Sequence, residues 1–283
     1  MITVMAEHAG FCFGVERAVK AIEHALAAKP KVWTIGLPIH NPQEVARLES
    51  LGLRVADSVQ DIPDGATVLI RAHGEPLDVF AVLKAKGACV EDMTCPFVRK
   101  AQNMAEELSR QNYHVVLLGD KNHPEIKGIL GHTVRPEDVE VVANDEEAAK
   151  LTRYGRIALI SQTTQREEKL AKTAGVLALK CSELHVCNTI CRATSERQEA
   201  ARELVRANEL DGVVLIGGRQ SANTAKLRDI IASEGINVLW IEDEDELAEN
   251  NDWFTGKNKI GIAAGASTPG WLIDKVSNTI AHK

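Results

Sequence analysis

Three cysteines, Cys12, Cys95 and Cys191, constrain the chain most, because each opens the same pattern. After Cys12, the residues Val15, Ala18, Val19, Ile22 and Leu26 fall at helical spacing; after Cys95, Val98, Ala101, Ala105 and Leu108 do so. Pro96 suits the first position of a helix, where its missing N–H costs nothing. Cys191 precedes Thr194, Ser195 and Glu196, read as a first helical turn. A short apolar strand ending in glycine follows each time. It is 24 residues from Cys12 to Gly36 and from Cys95 to Gly119, and 26 from Cys191 to Gly217. Four residues beyond each glycine stands a polar side chain: His40, His123 and Ser221. Later strands, beginning near Thr67, Arg156 and Lys259, deliver His73, Thr163 and Ser267 at their ends.

Strands alternating with helices imply parallel βαβ units. The spacing therefore predicts an α/β protein of three similar lobes, each with a small parallel sheet, around a pseudo-threefold axis. The expected lobes are 13–95, 96–190 and 191–283, with 1–12 packing near the centre. Ligands in such sheets collect at the carboxyl ends of the strands, where the polar residues just named fall.

Composition narrows the function classes. The net charge is −7 and no long basic run occurs, which argues against nucleic acid or an anionic membrane surface as the main partner. No apolar run reaches the roughly 20 residues of a membrane span. The stretch from Met1 to His8 has no basic flank before an apolar core, so no signal peptide is expected. A cytoplasmic setting keeps thiols reduced, and six cysteines there point to metal, cluster or redox chemistry, or to plain core residues.

A thiol at a helix N-terminus is biased toward thiolate. Three thiols are too few for a closed structural zinc site, which takes four ligands. They suit a [4Fe–4S] cluster with one iron lacking a protein ligand, or a catalytic metal with an open position. The competing reading of any one of them is a small buried hydrophobe. Cys89, Cys181 and Cys187 have no repeat partners and are read that way.

A second group joins His40, His73 and His123 to Ser221, Asn223, Ser267, Thr163 and Glu125. Neutral donors and helix N-termini bind an anion such as diphosphate without a lysine. Two other readings compete. In one, Ser221 and Ser267 serve only as helix caps; in the other, the histidines form a three-histidine metal site. Glu125, after His123-Pro124, is a candidate proton donor, since burial disfavours an ionised carboxyl; the plain alternative is a solvated acid favoured by the helix dipole.

The motifs taken together resemble the 4-hydroxy-3-methylbut-2-enyl diphosphate reductase family, the last enzyme of the methylerythritol phosphate route to isoprenoids. They are Gly10-Phe11-Cys12-Phe13-Gly14-Val15, Pro38-Ile39-His40-Asn41, Ala72-His73-Gly74, Thr94-Cys95-Pro96, His123-Pro124-Glu125, Ser161-Gln162-Thr163-Thr164, Asn188-Thr189-Ile190-Cys191, Ser221-Ala222-Asn223 and Gly265-Ala266-Ser267. The ordered set spans residues 10 to 267.

The resemblance implies that Cys12, Cys95 and Cys191 hold one [4Fe–4S] cluster with an open iron, at the centre of the lobes. It implies that His40, His73, His123, Thr163, Ser221, Ala222, Asn223 and Ser267 line the diphosphate site. Glu125, relayed with Thr163, would supply a proton, and spacing leaves Thr164 open in its place. Two electrons would come from ferredoxin or flavodoxin, and the products would be isopentenyl and dimethylallyl diphosphate. A monomer is expected. Two departures stand out: Ala222 where many members have a second serine, and Arg192 after the third cysteine.

Two rival functions remain at this stage. A metal-dependent hydrolase of a phosphorylated small molecule would use the three histidines and tolerate Cys→Ser changes. A cluster-bearing sensor would not need Glu125.

Overall fold

The computed structural model describes all residues, Met1–Lys283. Its twelve strands form three four-stranded sheets, and every strand pair is parallel. The chain divides into two compact units. One comprises Met1–Glu23, Leu37–Gly52 and Arg192–Lys283; the other comprises His24–Gly36 and Leu53–Cys191.

In chain order the elements begin with β1 (Ile2–Met5), α1 (Phe13–Ala28), β2 (Val32–Ile35), α2 (Pro42–Ser50), β3 (Leu53–Ala56), β4 (Thr67–Ile70), α3 (Leu77–Ala85) and β5 (Cys89–Asp92). Next come α4 (Pro96–Arg110), β6 (His114–Leu118), α5 (Pro124–Leu130), β7 (Val139–Val142), α6 (Asp145–Ala149), β8 (Tyr154–Ser161), α7 (Glu167–Ala178) and β9 (Cys181–Cys187). The chain closes with α8 (Arg192–Arg206), β10 (Gly212–Ile216), α9 (Ala222–Ser233), β11 (Val238–Ile241), α10 (Asp245–Glu249), β12 (Lys259–Ala264) and α11 (Gly270–Ala281).

The sheet orders are β3-β2-β4-β5, β7-β6-β8-β9 and, read in the same sense, β11-β10-β12-β1. The three sheets thus share one topology. Strand β1 fills in the last sheet the place that β5 and β9 fill in the others, and each of these three strands leads to a repeat cysteine. The opening residues 1–12 therefore supply a strand to the third sheet, which a reading of three consecutive lobes did not foresee.

The repeat extends to single hydrogen bonds. Gly36, Gly119 and Gly217 each follow a strand by one residue. Each donates its N–H to the last residue of the neighbouring strand: to Ala56 at 2.7 Å, Val142 at 3.0 Å and Ile241 at 2.9 Å.

Burial explains why the inner strands were readable. Val115–Leu118 and Val213–Ile216 are wholly buried, as strands covered on both faces must be, so they read as unbroken apolar runs. Burying each such side chain contributes about 1.5–3 kcal/mol. The edge strands β5 (Cys-Val-Glu-Asp) and β9 (Cys-Ser-Glu-Leu-His-Val-Cys) are largely exposed or half-buried and carry no such run. Helices α3, α7 and α11 and the short acidic helices α6 and α10 were likewise not anticipated. Helix α9 begins at Ala222, two residues earlier than its apolar pattern suggests.

Candidate active site

Each repeat cysteine is the residue immediately before a helix: Cys12 before α1, Cys95 before α4, Cys191 before α8. Their carbonyls start two of those helices, accepting from Glu16 N at 2.9 Å and Arg99 N at 2.8 Å. Their N–H groups are held in one repeated way. Cys12 donates to Ala266 O at 3.1 Å, Cys95 to Ala72 O at 3.0 Å and Cys191 to Thr163 O at 3.0 Å. Each acceptor lies two residues beyond a strand end, at β12, β4 and β8. All three cysteines are half-buried and none is in a disulfide.

The other cysteines differ. Cys187 is 2% exposed within the core of the second sheet, and burial pushes its thiol up to about 11. Burial also raises the half-buried Cys181 thiol, whose Sγ lies 3.3 Å from Leu177 O. Cys89 is exposed on an edge strand, so the reading of it as a buried hydrophobe is corrected.

The repeat register also corrects two groupings made from spacing. The N-caps of α2, α5 and α9 are Asn41, His123 and Ser221. His40 therefore lies one residue ahead of the matching position, because the first loop is one residue longer. At the other strand ends Ala72, Thr163 and Ala266 correspond, so His73 and Ser267 match Thr164, not Thr163.

In the unit containing Cys95 and Cys191, α5 begins at His123-Pro124-Glu125. His123 Nδ1 accepts the Glu125 N–H at 3.1 Å, which leaves the proton of a neutral ring on Nε2. The His73 and His123 rings meet edge to face, 5.3 Å between centroids. Glu125 is 2% exposed. Its Oε1 accepts the Thr163 N–H at 2.6 Å, and its Oε2 accepts the Thr163 hydroxyl at 2.8 Å. The Thr163 carbonyl in turn holds Cys191. Thr163, and not Thr164, thus joins the buried acid to a repeat cysteine. The solvated-acid alternative for Glu125 does not hold.

In the unit containing Cys12, the β10–α9 loop ends at Ser221, and Ala222 and Asn223 open α9. Ser221 Oγ accepts Thr224 N–H at 3.2 Å, so it does cap α9; its own O–H stays available as a donor. Ser267 caps nothing, since α11 starts after Pro269. Asn223 is 6% exposed, and its Nδ2 has no hydrogen-bond partner. A buried orphan donor of this kind costs about 1–3 kcal/mol and calls for an acceptor.

The loop is braced from behind. Trp240 Nε1 donates to Gly217 O at 2.6 Å, and Glu242 Oε1 accepts Arg219 N–H at 2.6 Å. Gly218 packs against the His40 backbone: a Cβ there would collide with the His40 carbonyl oxygen. Asn41 caps α2, its Oδ1 accepting Glu44 N–H at 2.8 Å, while its buried Nδ2 makes no hydrogen bond. Within the Pro38–Asn41 motif, the Asn41-Pro42 pair ahead of a helix is the sequence signal that marks Asn41 as a cap.

The sequence profile of the LytB protein family matches residues 3–281. The 4-hydroxy-3-methylbut-2-enyl diphosphate reductase of Aquifex aeolicus is 43% identical over 279 residues, 98% of this chain and 95% of its own. The reductase of the same name from Wolinella succinogenes is 40% identical over 277 residues, 98% and 97% of the two chains.

Among solved structures, the Plasmodium falciparum E-1-hydroxy-2-methyl-but-2-enyl-4-diphosphate reductase superposes with a TM-score of 0.92 at 26% identity, covering 99% of this chain and 88% of that one. A second, (E)-4-hydroxy-3-methyl-but-2-enyl diphosphate reductase, described as the terminal enzyme of the non-mevalonate pathway, gives 0.71 at 43% identity with both chains fully covered. The hydrolase weighed from the three histidines finds no support in these relatives. With its profile matched from end to end and its three sheets shared with solved relatives, the chain belongs to the LytB family, whose members are iron–sulfur oxidoreductases.

Proposed function

We propose that this protein reduces (E)-4-hydroxy-3-methylbut-2-enyl diphosphate to isopentenyl and dimethylallyl diphosphate, the reaction its relatives are named for. Two electrons and two protons enter, the allylic C–O bond breaks, and the hydroxyl leaves as water. The observation that carries this reading is the connection Glu125–Thr163–Cys191: the buried acid accepts the Thr163 N–H at 2.6 Å and its hydroxyl at 2.8 Å, and the Thr163 carbonyl accepts the Cys191 N–H at 3.0 Å.

The residues fit a [4Fe–4S] cluster held by Cys12, Cys95 and Cys191. These are three half-buried thiols at helix N-termini, in no disulfide, and each backbone N–H is taken by a strand-end carbonyl, which fixes the cysteine in place. Bound there, such a group supplies electrons one at a time and Lewis acidity at an iron without a protein ligand.

The protein's own residues do the rest. Ser221 and Asn223 offer an O–H and an Nδ2–H to the diphosphate, and the N-terminus of α9 adds its dipole. Ala222 contributes no hydroxyl, so its role is confined to its backbone N–H. His40, His73, His123 and Ser267 complete the anion site, with His123 donating through Nε2. Glu125 holds the proton that leaves with the hydroxyl, and Thr163 fixes both carboxyl oxygens and relays that proton. Ferredoxin or flavodoxin is the electron donor, the chain acts as a monomer, and its place is the cytoplasm.

The test is turnover of the diphosphate by anaerobically reconstituted protein with a chemical reductant. Formation of both five-carbon diphosphates supports the proposal. Absence of product from fully loaded protein overturns it.

A further inference from the structure

We infer that Arg197 is the positioning residue for the Cys12 thiol, an inference that rests on the reading of Cys12 as a cluster ligand. The three cysteine loops are not braced alike. Between β5 and Cys95 lie only Met93 and Thr94, and Asp92 Oδ1 accepts the Thr94 N–H at 2.9 Å. Between β9 and Cys191 lie Asn188, Thr189 and Ile190, and Asn188 Oδ1 accepts the Ile190 N–H at 3.1 Å. In both, an Asp or Asn side chain bonds the backbone two residues on and turns the chain into the cysteine.

The loop before Cys12 is longer, Ala6 to Phe11, and contains no Asp or Asn. It is held from outside. Arg197 Nη2 donates to Gly10 O at 2.8 Å, and Nη1 donates to Ala193 O at 3.1 Å in the first turn of α8. Arg197 is 5% exposed, a rare state for an arginine.

Gly10 has φ +105°, a conformation other residues rarely take, and a Cβ there would meet Ile273 Cδ1 at 3.4 Å. Its peptide is therefore turned one way, with the carbonyl on the guanidinium. Two residues later Ala266 O holds the Cys12 N–H. Cys12 is pinned on both sides, and the upstream pin is a rigid fork reaching from the helix that follows Cys191. A guanidinium holds both carbonyls with a rigid planar fork, whereas an ammonium is a compact point charge on a flexible stem.

The test uses the full chain with Arg197→Met and Arg197→Lys. In the metal-free chain, hydrogen exchange at residues 10–13 rises about 10-fold or more in Arg197→Met, as expected for losing charge-assisted bonds, with 92–97 unchanged. In reconstituted protein, a chelator strips iron about 10-fold faster, and Arg197→Lys recovers part of the difference.

A Leu117→Ala variant, in the buried core of the second sheet, controls for general destabilisation. Its iron loss stays near wild type. Wild-type exchange and iron loss in Arg197→Met overturn the inference, as does equal acceleration in Leu117→Ala. If wild-type protein takes up no cluster, the ligand reading fails, and the exchange arm alone decides whether Arg197 fixes the loop. If Arg197→Met does not fold, Arg197→Lys carries both readouts.

Discussion

Replacing Thr163 by valine separates the two jobs of that residue. Valine keeps the shape and both backbone contacts, the N–H to Glu125 Oε1 at 2.6 Å and the carbonyl to Cys191 N at 3.0 Å. It deletes only the hydroxyl that lies 2.8 Å from Oε2. Leaving a buried hydrogen-bonding group without its partner costs about 1–3 kcal/mol, and about 1.4 kcal/mol is tenfold in rate. Thr163→Val should therefore lower kcat about 10- to 100-fold while leaving KM and cluster content near wild type. Thr163→Ser, which restores the hydroxyl, should recover most of the loss. The assay is steady-state turnover with a chemical reductant, beside iron and sulfide determination on the same preparation. Unchanged kcat would refute the relay. Loss of the cluster would refute the claim that only backbone atoms of Thr163 serve Cys191.

Other outcomes follow from the same geometry. Asn223→Asp puts a carboxylate where a buried donor awaits an anion, so KM should rise about 100-fold or more while the cluster absorption is unchanged; steady-state kinetics and the visible spectrum check it. His123→Ala should weaken binding of inorganic diphosphate in calorimetry, and it also removes the α5 cap, costing about 1 kcal/mol in denaturant unfolding. Gly218→Ala forces a methyl onto the His40 carbonyl, so stability should fall by about 1–3 kcal/mol or KM should rise; a variant matching wild type in both would contradict the packing described. Cys187 holds its proton more tightly folded than unfolded, its thiol moving from an ordinary value near 9 to about 11. The resulting stability is whole below pH about 8.5 and lost as pH climbs through about 11; Cys187→Ala should flatten that alkaline decline in denaturant melts.

Much of the fold was legible because the inner strands are buried on both faces. Val115–Leu118, Ile157–Ile160 and Val213–Ile216 write unbroken apolar runs. The strand-ending glycines and the cysteines ahead of helices then repeat at matched spacing. What escaped is what lacks that signature. Strands β5 and β9 are short polar edges whose place is set by ladder bonds to β4 and β8. Strand β1 joins β12 across nearly the whole chain, and no local pattern announces such a pairing.

At the site, residue types were readable but register was not. One extra residue before α2 makes Asn41 the cap and sets His40 off the repeat. Whether Thr163 or Thr164 meets Glu125 depends on one residue of strand-end geometry, visible in the bonds that the Thr163 N–H and O–H donate to Glu125. Arg197 could not be found at all from sequence, because its partners are backbone carbonyls, one of them at the far end of the chain.

The central claim is that Cys12, Cys95 and Cys191 act as one ligand set and the other three cysteines do not. The most direct measurement is iron and sulfide content, with the spin-resonance spectrum after reduction, on anaerobically reconstituted wild type and six single Cys→Ser variants. The account predicts about four irons and four sulfides per chain in wild type. It predicts the same for Cys89→Ser, Cys181→Ser and Cys187→Ser, and disrupted loading in Cys12→Ser, Cys95→Ser and Cys191→Ser. Full loading in any of those last three, or a colourless wild type that takes up zinc instead, would contradict it.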